Sequence, residues 1–288
     1  MEDDSRFLLY IDILGFTEMT KSEPRKVARV YSILDELNVH QHNSFKTIVF
    51  SDTILVYNPD LAETDHERKY LIMYLIEFAE DLHHRLTGQD IYFRAILTAG
   101  SFNHYSLKNI ECFYGDSLIN AYTSEKNIPS LGLFIDKKCN EYNEFFRTES
   151  FDKQFSFVYL NRHLEDLQTH TGGVFPSREV LTSDITPFVP WHVEFLKNVY
   201  ENMRNHVSPI VRLKFLTAWD FHARRYPSMV KALVESNFSL SGLAPENVWG
   251  KEYEDMVRDI KRYKRIGSGT DLSMQISKNT RKKYKRVN

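Results

Sequence analysis

Short, continuously apolar runs alternate with amphipathic stretches over the first 160 residues of the chain. Residues 6–13 are apolar apart from Arg6 and Asp12 and are followed by Gly15, which predicts a buried strand. Pro24 suits the first turn of a helix running to about His42, with Val27, Val30, Tyr31, Leu34 and Leu37 at helical spacing. Residues 45–50 and 52–58 are β-rich with almost nothing between them. They predict a hairpin turning near Ser51-Asp52 and stopped by Asn58-Pro59. Tyr70, Met73, Tyr74, Ile76, Phe78 and Leu82 mark a helix over 66–87, ended by Gly88.

Further strands are predicted over 91–99 and 110–114. A helix follows Gly115-Asp116 over about 117–126, then strands over 131–136 and 155–160. This order implies an α+β fold, a mainly antiparallel sheet with helices on one face. Residues 168–190 read as a proline-bearing loop region, Trp191 to about Asn237 as helical and aromatic, and 246–264 as a last helix. The division expected is a domain over 1–165, a helical extension over 166–266 and a basic, flexible tail over 267–288.

Composition changes this picture little. Hydrophobic content of 42% and charged content of 26% suit a globular chain with a sizeable core. The net charge of -2 predicts neither nucleic acid nor membrane as a bulk partner, and no apolar run approaches a bilayer span. Ten of the Lys and Arg residues, against two Asp, fall from Asp259 onwards, so the basic end is offset by an acidic remainder. A contact of that end with nucleic acid competes with a plainer reading, a solvated terminal run. Cys112 and Cys139 form no CxxC pattern, and the acidic start lacks a signal peptide's basic region. Both fit a reducing cytoplasm.

Candidate chemistry lies in two carboxylates. Asp12 sits at the end of the first strand, and Asp52 in Phe50-Ser-Asp-Thr53. An acid among strand residues is costly unless paired or bound to a metal. Each also has a plainer reading, as a turn-capping or hairpin-turn aspartate. No Walker A or nucleophile-elbow pattern is present. His83 and His84 are adjacent on one predicted helix and so point to different faces, which argues against a joint metal site.

Four segments, residues 10–17, 50–53, 94–100 and 114–125, together resemble the class III nucleotidyl cyclase catalytic domain over about 1–160. The resemblance implies a palm-like sheet and a homodimer with interfacial sites. It also implies two Mg²⁺ or Mn²⁺ ions between two aspartates and a nucleoside triphosphate. Carried over by position, Asp12, Asp52 and the Ile13 carbonyl are the metal ligands, and Gly15, Phe16 and Thr17 cradle phosphates.

Departures from the family pattern narrow the reading. Ser51 replaces a frequent Gly, and Ile48 stands where purine cyclases commonly place a base-selecting Lys or Glu. Lys46 shares its face by strand alternation. Cys112 occupies the second base-reading position, or is simply a small buried hydrophobe. Ile119 and Thr123 stand where the family places an Asn and an Arg that support the transition state. Asn120, Arg94 and Arg162 are the substitutes considered, the two arginines also having structural readings.

The Ser-Asp hairpin and the Gly-Asp-x-Leu-x-x-Ala-Tyr-x-x-Glu helix are similar to the pyrimidine cyclases of bacterial Pycsar anti-phage systems. That resemblance implies cyclic UMP or cyclic CMP formation from UTP or CTP. The alternative is a cyclase fold that binds nucleotide without turnover, as a sensor or scaffold.

Overall fold

The computed structural model describes residues 6–265, so the predicted basic tail lies outside the described residues. The first strand is β1, Arg6–Ile13, and its side chains from Phe7 to Ile11 are all buried. Burial on both faces explains the continuous apolar run, because a strand open to water on one face would alternate. Gly15, at a φ of 73°, turns the chain into α1 (Phe16–Ser22), and Pro24 opens α2 (Pro24–Asp35). The helix expected to reach His42 stops early. Leu37 turns extended and buries its side chain, and a 3-10 turn (Asn38–Gln41) follows.

The predicted hairpin is β2 (Lys46–Phe50) and β3 (Thr53–Tyr57), with Ser51 at a φ of 57° in its turn. Glycine adopts that conformation at little cost, which accounts for a Gly being suited to the position before the hairpin aspartate. Next comes α3 (Asp65–Leu86), started by a capping box between Thr64 and Glu67 and stopped before Gly88. It is followed by β4 (Phe93–Gly100), then β5 (Asn103–Ser106) and β6 (Glu111–Tyr114), which pair only with each other. The fold continues through α4 (Asp116–Asn127), β7 (Gly132–Asp136), α5 (Lys137–Asn140), β8 (Thr148–Ser150) and β9 (Phe155–Val158).

The C-terminal helices are α6 (Arg162–His170), α7 (Val189–Asn205), α8 (Pro209–Arg225), α9 (Pro227–Glu235) and α10 (Gly250–Arg265). The sequence pattern did not reveal β5, β8, α5 or α6. The two strands and α5 are three or four residues long, too short to display a period.

The main sheet runs β2-β3-β1-β4-β7-β9-β8, antiparallel throughout except for the parallel β4–β7 pair. This is an α+β fold. One face packs Leu9, Ile11, Ala95 and Leu97 against α2 and α3. The other packs Leu8, Tyr10, Leu55 and Ile96 with residues of α4, α7 and α8. Phe221 of α8 stacks on Phe157 of β9 at 4.3 Å, and the Tyr159 hydroxyl donates to the Phe221 carbonyl at 3.1 Å. The last helix, α10, returns to the first face, where Tyr263 is buried beside α2 and α3. No described helix is long and apolar enough to cross a membrane.

The start of α4 sets a sharp steric constraint. Gly115, at a φ of 151°, lies so close to the strand end that a Cβ would stand 2.1 Å from the Ser101 carbonyl oxygen. Main chain cannot yield there, so Gly115→Ala should cost about 3 kcal/mol of stability. At Gly15 a Cβ meets nothing within 4 Å. Gly15→Ala therefore carries only the left-handed backbone penalty of about 1 kcal/mol. Urea midpoints measure both, and equal losses would contradict the close approach of Gly115 to the Ser101 carbonyl.

Candidate active site

The site grows from the register of three strands. Asp12 of β1 is the Cα partner of Thr53 on one side and of Arg94 on the other. Asp52 immediately precedes Thr53, and its carbonyl accepts the Ile13 amide at 3.0 Å, which ties the hairpin to the end of β1. One residue on, the Leu14 amide donates to the Tyr92 carbonyl at 2.8 Å. The strand ends are thus held by main-chain bonds, and the two carboxylates sit on a rigid frame.

Neither carboxylate caps a turn. No side chain caps α1, and among the described residues neither Asp12 nor Asp52 accepts a hydrogen bond from an amide through its carboxylate. Asp136 shows what a structural acid looks like in this sheet. Its carboxylate accepts from the Thr98 hydroxyl at 2.6 Å, the Ala99 amide at 3.0 Å and the Cys139 amide at 2.7 Å. Asp12 is different: its nearest cation is the Arg94 Nη2 at 3.6 Å. Burial, reinforced by the like charge of Asp52, pushes the Asp12 carboxyl up to about 6 against the pull of Arg94.

Arg94 is itself 5% exposed and ion-paired with the buried Glu125 of α4. Its Nη1 donates to the Ile128 carbonyl at 2.6 Å. The guanidinium is therefore fixed from the α4 side and offers Asp12 only a long contact. The acid pair remains short of positive charge, and its donor set is hard oxygen without sulfur. Such a set fits a Mg²⁺-like cation, which takes one or two carboxylates and completes its shell with water and phosphate. Among the described residues no three His, Cys, Asp or Glu side chains converge, so further ligands would have to be main chain, water or substrate.

A second cation reaches this face from the C-terminal helices. Lys214 of α8 is half-buried and lies within electrostatic reach of both Asp12 and Arg94. Burial, then Arg94, lowers its ammonium group's pKa, and Asp12 opposes that. It makes no ion pair within 4.0 Å among the described residues. Its neighbour Phe215 packs edge-on to Tyr92 at 4.9 Å, and Asn202 of α7 donates to the Tyr92 hydroxyl at 3.3 Å. The residue whose carbonyl holds Leu14 is thus also the anchor for α7 and α8. Sequence reasoning missed Lys214. The available signal was a charge on an apolar stripe, since Lys214 stands four and seven residues before the buried Ala218 and Phe221.

The other predicted residues fall as follows. Gly15 and Thr17 are exposed at the start of α1, whereas the Phe16 side chain is buried in the core. The Ile13 side chain is also buried, leaving only its main chain to act. Lys46 and Ile48 lie on edge strand β2, paired with Tyr57 and Leu55, and Ile48 packs partly against the second core. Cys112 lies on the separate β5–β6 ribbon opposite Tyr105 and is partly exposed. Asn120, Ile119 and Thr123 are exposed on α4. The structure does not bring Arg162 to this group: its guanidinium binds Glu80 of α3 through two contacts of 3.2 Å. Phe50 and Tyr114 are 79% and 55% exposed.

No family model matches the chain, and no curated protein matches it. Solved structures do. The guanylate cyclase domain of RhGC from Catenaria anguillulae, in complex with GTP, aligns with a TM-score of 0.43 and 17% identity. That alignment covers 55% of this chain and 97% of that one. The monomeric guanylyl cyclase domain of the RhoGC fusion protein from Blastocladiella emersonii gives 0.41 and 17%, covering 54% and 94%. The adenylyl cyclase CyaB from P. aeruginosa gives 0.40 and 11%, covering 54% and 93%.

The raised Asp12 carboxyl has a consequence for stability. Its folded value of about 6 lies above the ordinary 3.8, so the folded state binds the proton more tightly than the unfolded chain. The favourable contribution is complete below 3.8 and is lost as pH rises through about 6. The penalty above that window is on the order of 3 kcal/mol. Asp12→Asn should therefore raise the urea midpoint at pH 8 in chelator-treated buffer, and the gap from the parent should close as pH falls towards 4. A gap independent of pH would contradict the desolvated carboxyl.

Proposed function

We propose that the chain is a metal-dependent nucleotidyl cyclase that converts a nucleoside triphosphate to a 3′,5′-cyclic nucleotide and pyrophosphate. The observation that carries this reading is the under-compensated Asp12–Asp52 pair, held at the strand ends beside Arg94 and Lys214. In the proposed reaction the ribose 3′-oxygen loses its proton and attacks the α-phosphorus in line, and pyrophosphate leaves. Asp12 and Asp52, with the Ile13 carbonyl, would hold Mg²⁺ or Mn²⁺, which when bound lowers the hydroxyl's pKa and neutralises the polyphosphate.

The remaining work falls to the chain itself. The free amides at Gly15, Phe16 and Thr17 orient phosphate oxygens, and Lys214 places a positive charge near the reacting phosphates. Arg94, spent on Glu125 and Ile128, positions Asp12 rather than serving the substrate. Most of the rate gain then comes from positioning and charge neutralisation.

The favoured substrates are UTP and CTP, in an anti-phage signalling role. Support comes from Ile48, which cannot form the hydrogen bonds of a purine-selecting Lys or Glu, and from the sequence resemblance to the Pycsar cyclases. Lys46 and Cys112 are the proposed base contacts beside it, and Asn120 a proposed support for the transition state. The proposed setting is cytoplasmic. A homodimer is proposed as well. It is supported by Ile119 and Tyr122, which are 63% and 49% exposed on α4. A second reading, nucleotide binding without turnover, is favoured by Ile119 and Thr123, which offer neither an amide nor a guanidinium.

Incubation of the purified chain with each NTP and Mn²⁺, with products resolved by mass, separates these readings. Cyclic UMP or cyclic CMP should form, and Asp12→Ala and Asp52→Ala should lose at least a hundredfold in kcat/KM. Nucleotide that binds but is never cyclised would leave the sensor reading standing. Lys214→Gln should raise KM for the NTP about tenfold, equivalent to about 1.4 kcal/mol. An unchanged KM and kcat would remove Lys214 from the site. The defence role requires the cyclic product to rise in cells after phage infection.

The dimer has its own test. Ile119→Lys should shift the chain towards monomer in sedimentation velocity without lowering its melting temperature. A parent chain that is already monomeric at assay concentration would exclude the dimer.

A further inference from the structure

A cavity of about 620 Å³ lies away from Asp12, between α3, the segment after α2, and the start of α6 and α7. Its size is that of a pocket for a small organic ligand. Its walls include the rings of His42, Phe45, Tyr74, His84 and Phe188. These rings pack on one another, His42 on Tyr74 at 4.6 Å and His84 on Phe188 at 4.7 Å. Four lining side chains hold a buried polar atom with no hydrogen-bond partner: His42 Nδ1, Asp81 Oδ2, His163 Nδ1 and His192 Nε2. His192 is only 5% exposed. Leaving such atoms unmatched costs free energy, on the order of 1–3 kcal/mol each, so their grouping around one space points to an occupant.

The charge of the lining selects that occupant's sign. Glu77, Glu80 and Asp81 face the cavity with Arg162 as the one Lys or Arg among the lining residues. Arg162 is committed to Glu80, and one Asp81 oxygen to Arg85 at 2.7 Å, so the second Asp81 oxygen and Glu77 remain available. The imidazoles of His83, His84, His163 and His192 add no positive charge at neutral pH. Burial holds His83 at about 3, His84 at about 4, and His163 and His192 below their ordinary value. An anion such as a nucleotide is disfavoured here. A flat cation gains from the ring faces, the spare carboxylate oxygens and the unmatched imidazole nitrogens at once.

We propose that this cavity is a binding site for a small planar organic cation of the aryl-amidine or aromatic-amine class. Bound there, such a ligand would touch α3, which packs on the main sheet, and the start of α7, a helix whose far end reaches Tyr92 through Asn202. The proposal is independent of the reaction proposed above.

Isothermal titration of the full chain with benzamidine, benzamide and benzoate tests it, because the three probes share a ring and differ in charge. Benzamidine should bind saturably and at least tenfold more tightly than benzamide, and benzoate should not saturate. Glu77→Gln and Asp81→Asn should each weaken benzamidine binding about tenfold, Glu77→Gln at an unchanged melting temperature. Glu77→Gln keeps the side-chain size at a half-buried position, so it reports even if Asp81→Asn, which loses the pair with Arg85, destabilises the chain. Equal binding of the three probes would overturn the proposal. So would the absence of saturable benzamidine binding, or binding indifferent to both substitutions.

Discussion

A single buried cation organises the centre of the sheet. Arg94 stands in β4, the strand between β1 and β7, at 5% exposure. A guanidinium there is tolerable only if its charge is matched, because a buried ion without partners loses far more in hydration than packing returns. Glu125 supplies the match, and the Ile128 carbonyl takes a further donor. Those partners sit on α4 and its C-terminal end, so the ion pair fixes that helix against the sheet as surely as apolar contact does. It also leaves Arg94 only a long-range hold on Asp12. An arginine fully committed to Asp12 would quench that carboxylate. One committed elsewhere stabilises it enough to keep it buried without satisfying it.

The second face of the sheet is where fold and proposed chemistry meet. The Phe157–Phe221 stack and the buried residues that α7 and α8 add to the cluster of Leu8, Tyr10 and Ile96 give these helices the packing of core elements. Tyr92 is the junction. Its carbonyl anchors the turn after Asp12, its ring receives Phe215, and its hydroxyl accepts from Asn202. Lys214 follows from that docking. A lysine on the buried stripe of a helix is ordinarily a defect, yet here it lies within electrostatic reach of Asp12.

What could be read in the sequence follows the range of the forces involved. The first strand, the Ser51-Asp52 hairpin and α3 rest on local signals: an apolar run, a turn, a capping box and a glycine stop. All three stand where the pattern put them. Asp12 and Asp52 were found through spacing and resemblance, and the long-range pairing of β1 with β3 brings the end of β1 beside the hairpin turn. Arg162 and Lys214 depend instead on how distant helices dock. Arg162 looked available in sequence but is drawn to Glu80, eighty-two residues away, and Lys214 lies in a helix whose apolar stripe gives no hint of what it covers. The loop over 171–188 was legible in its glycines and prolines, but the cavity beside it was not, since a cavity is a property of packing between elements and not of any one of them.

The tension between stability and chemistry is concentrated at one atom group. Asp136 and Asp12 both lie at the ends of strands of the same sheet, but the Asp136 carboxylate accepts three hydrogen bonds, whereas Asp12 is partly buried with none among the described residues and its carboxyl is pushed up. If the chain needed only an acid to finish a strand, three donors at Asp12 would stabilise it. Burial with a distant cation and a neighbouring carboxylate does the reverse, and it costs stability at neutral pH. Such a cost persists where strain at a site is repaid by what binds there. A divalent cation with a polyphosphate would remove the repulsion between Asp12 and Asp52 and give Lys214 a partner in the same step, which is why the site is read as built for that cargo.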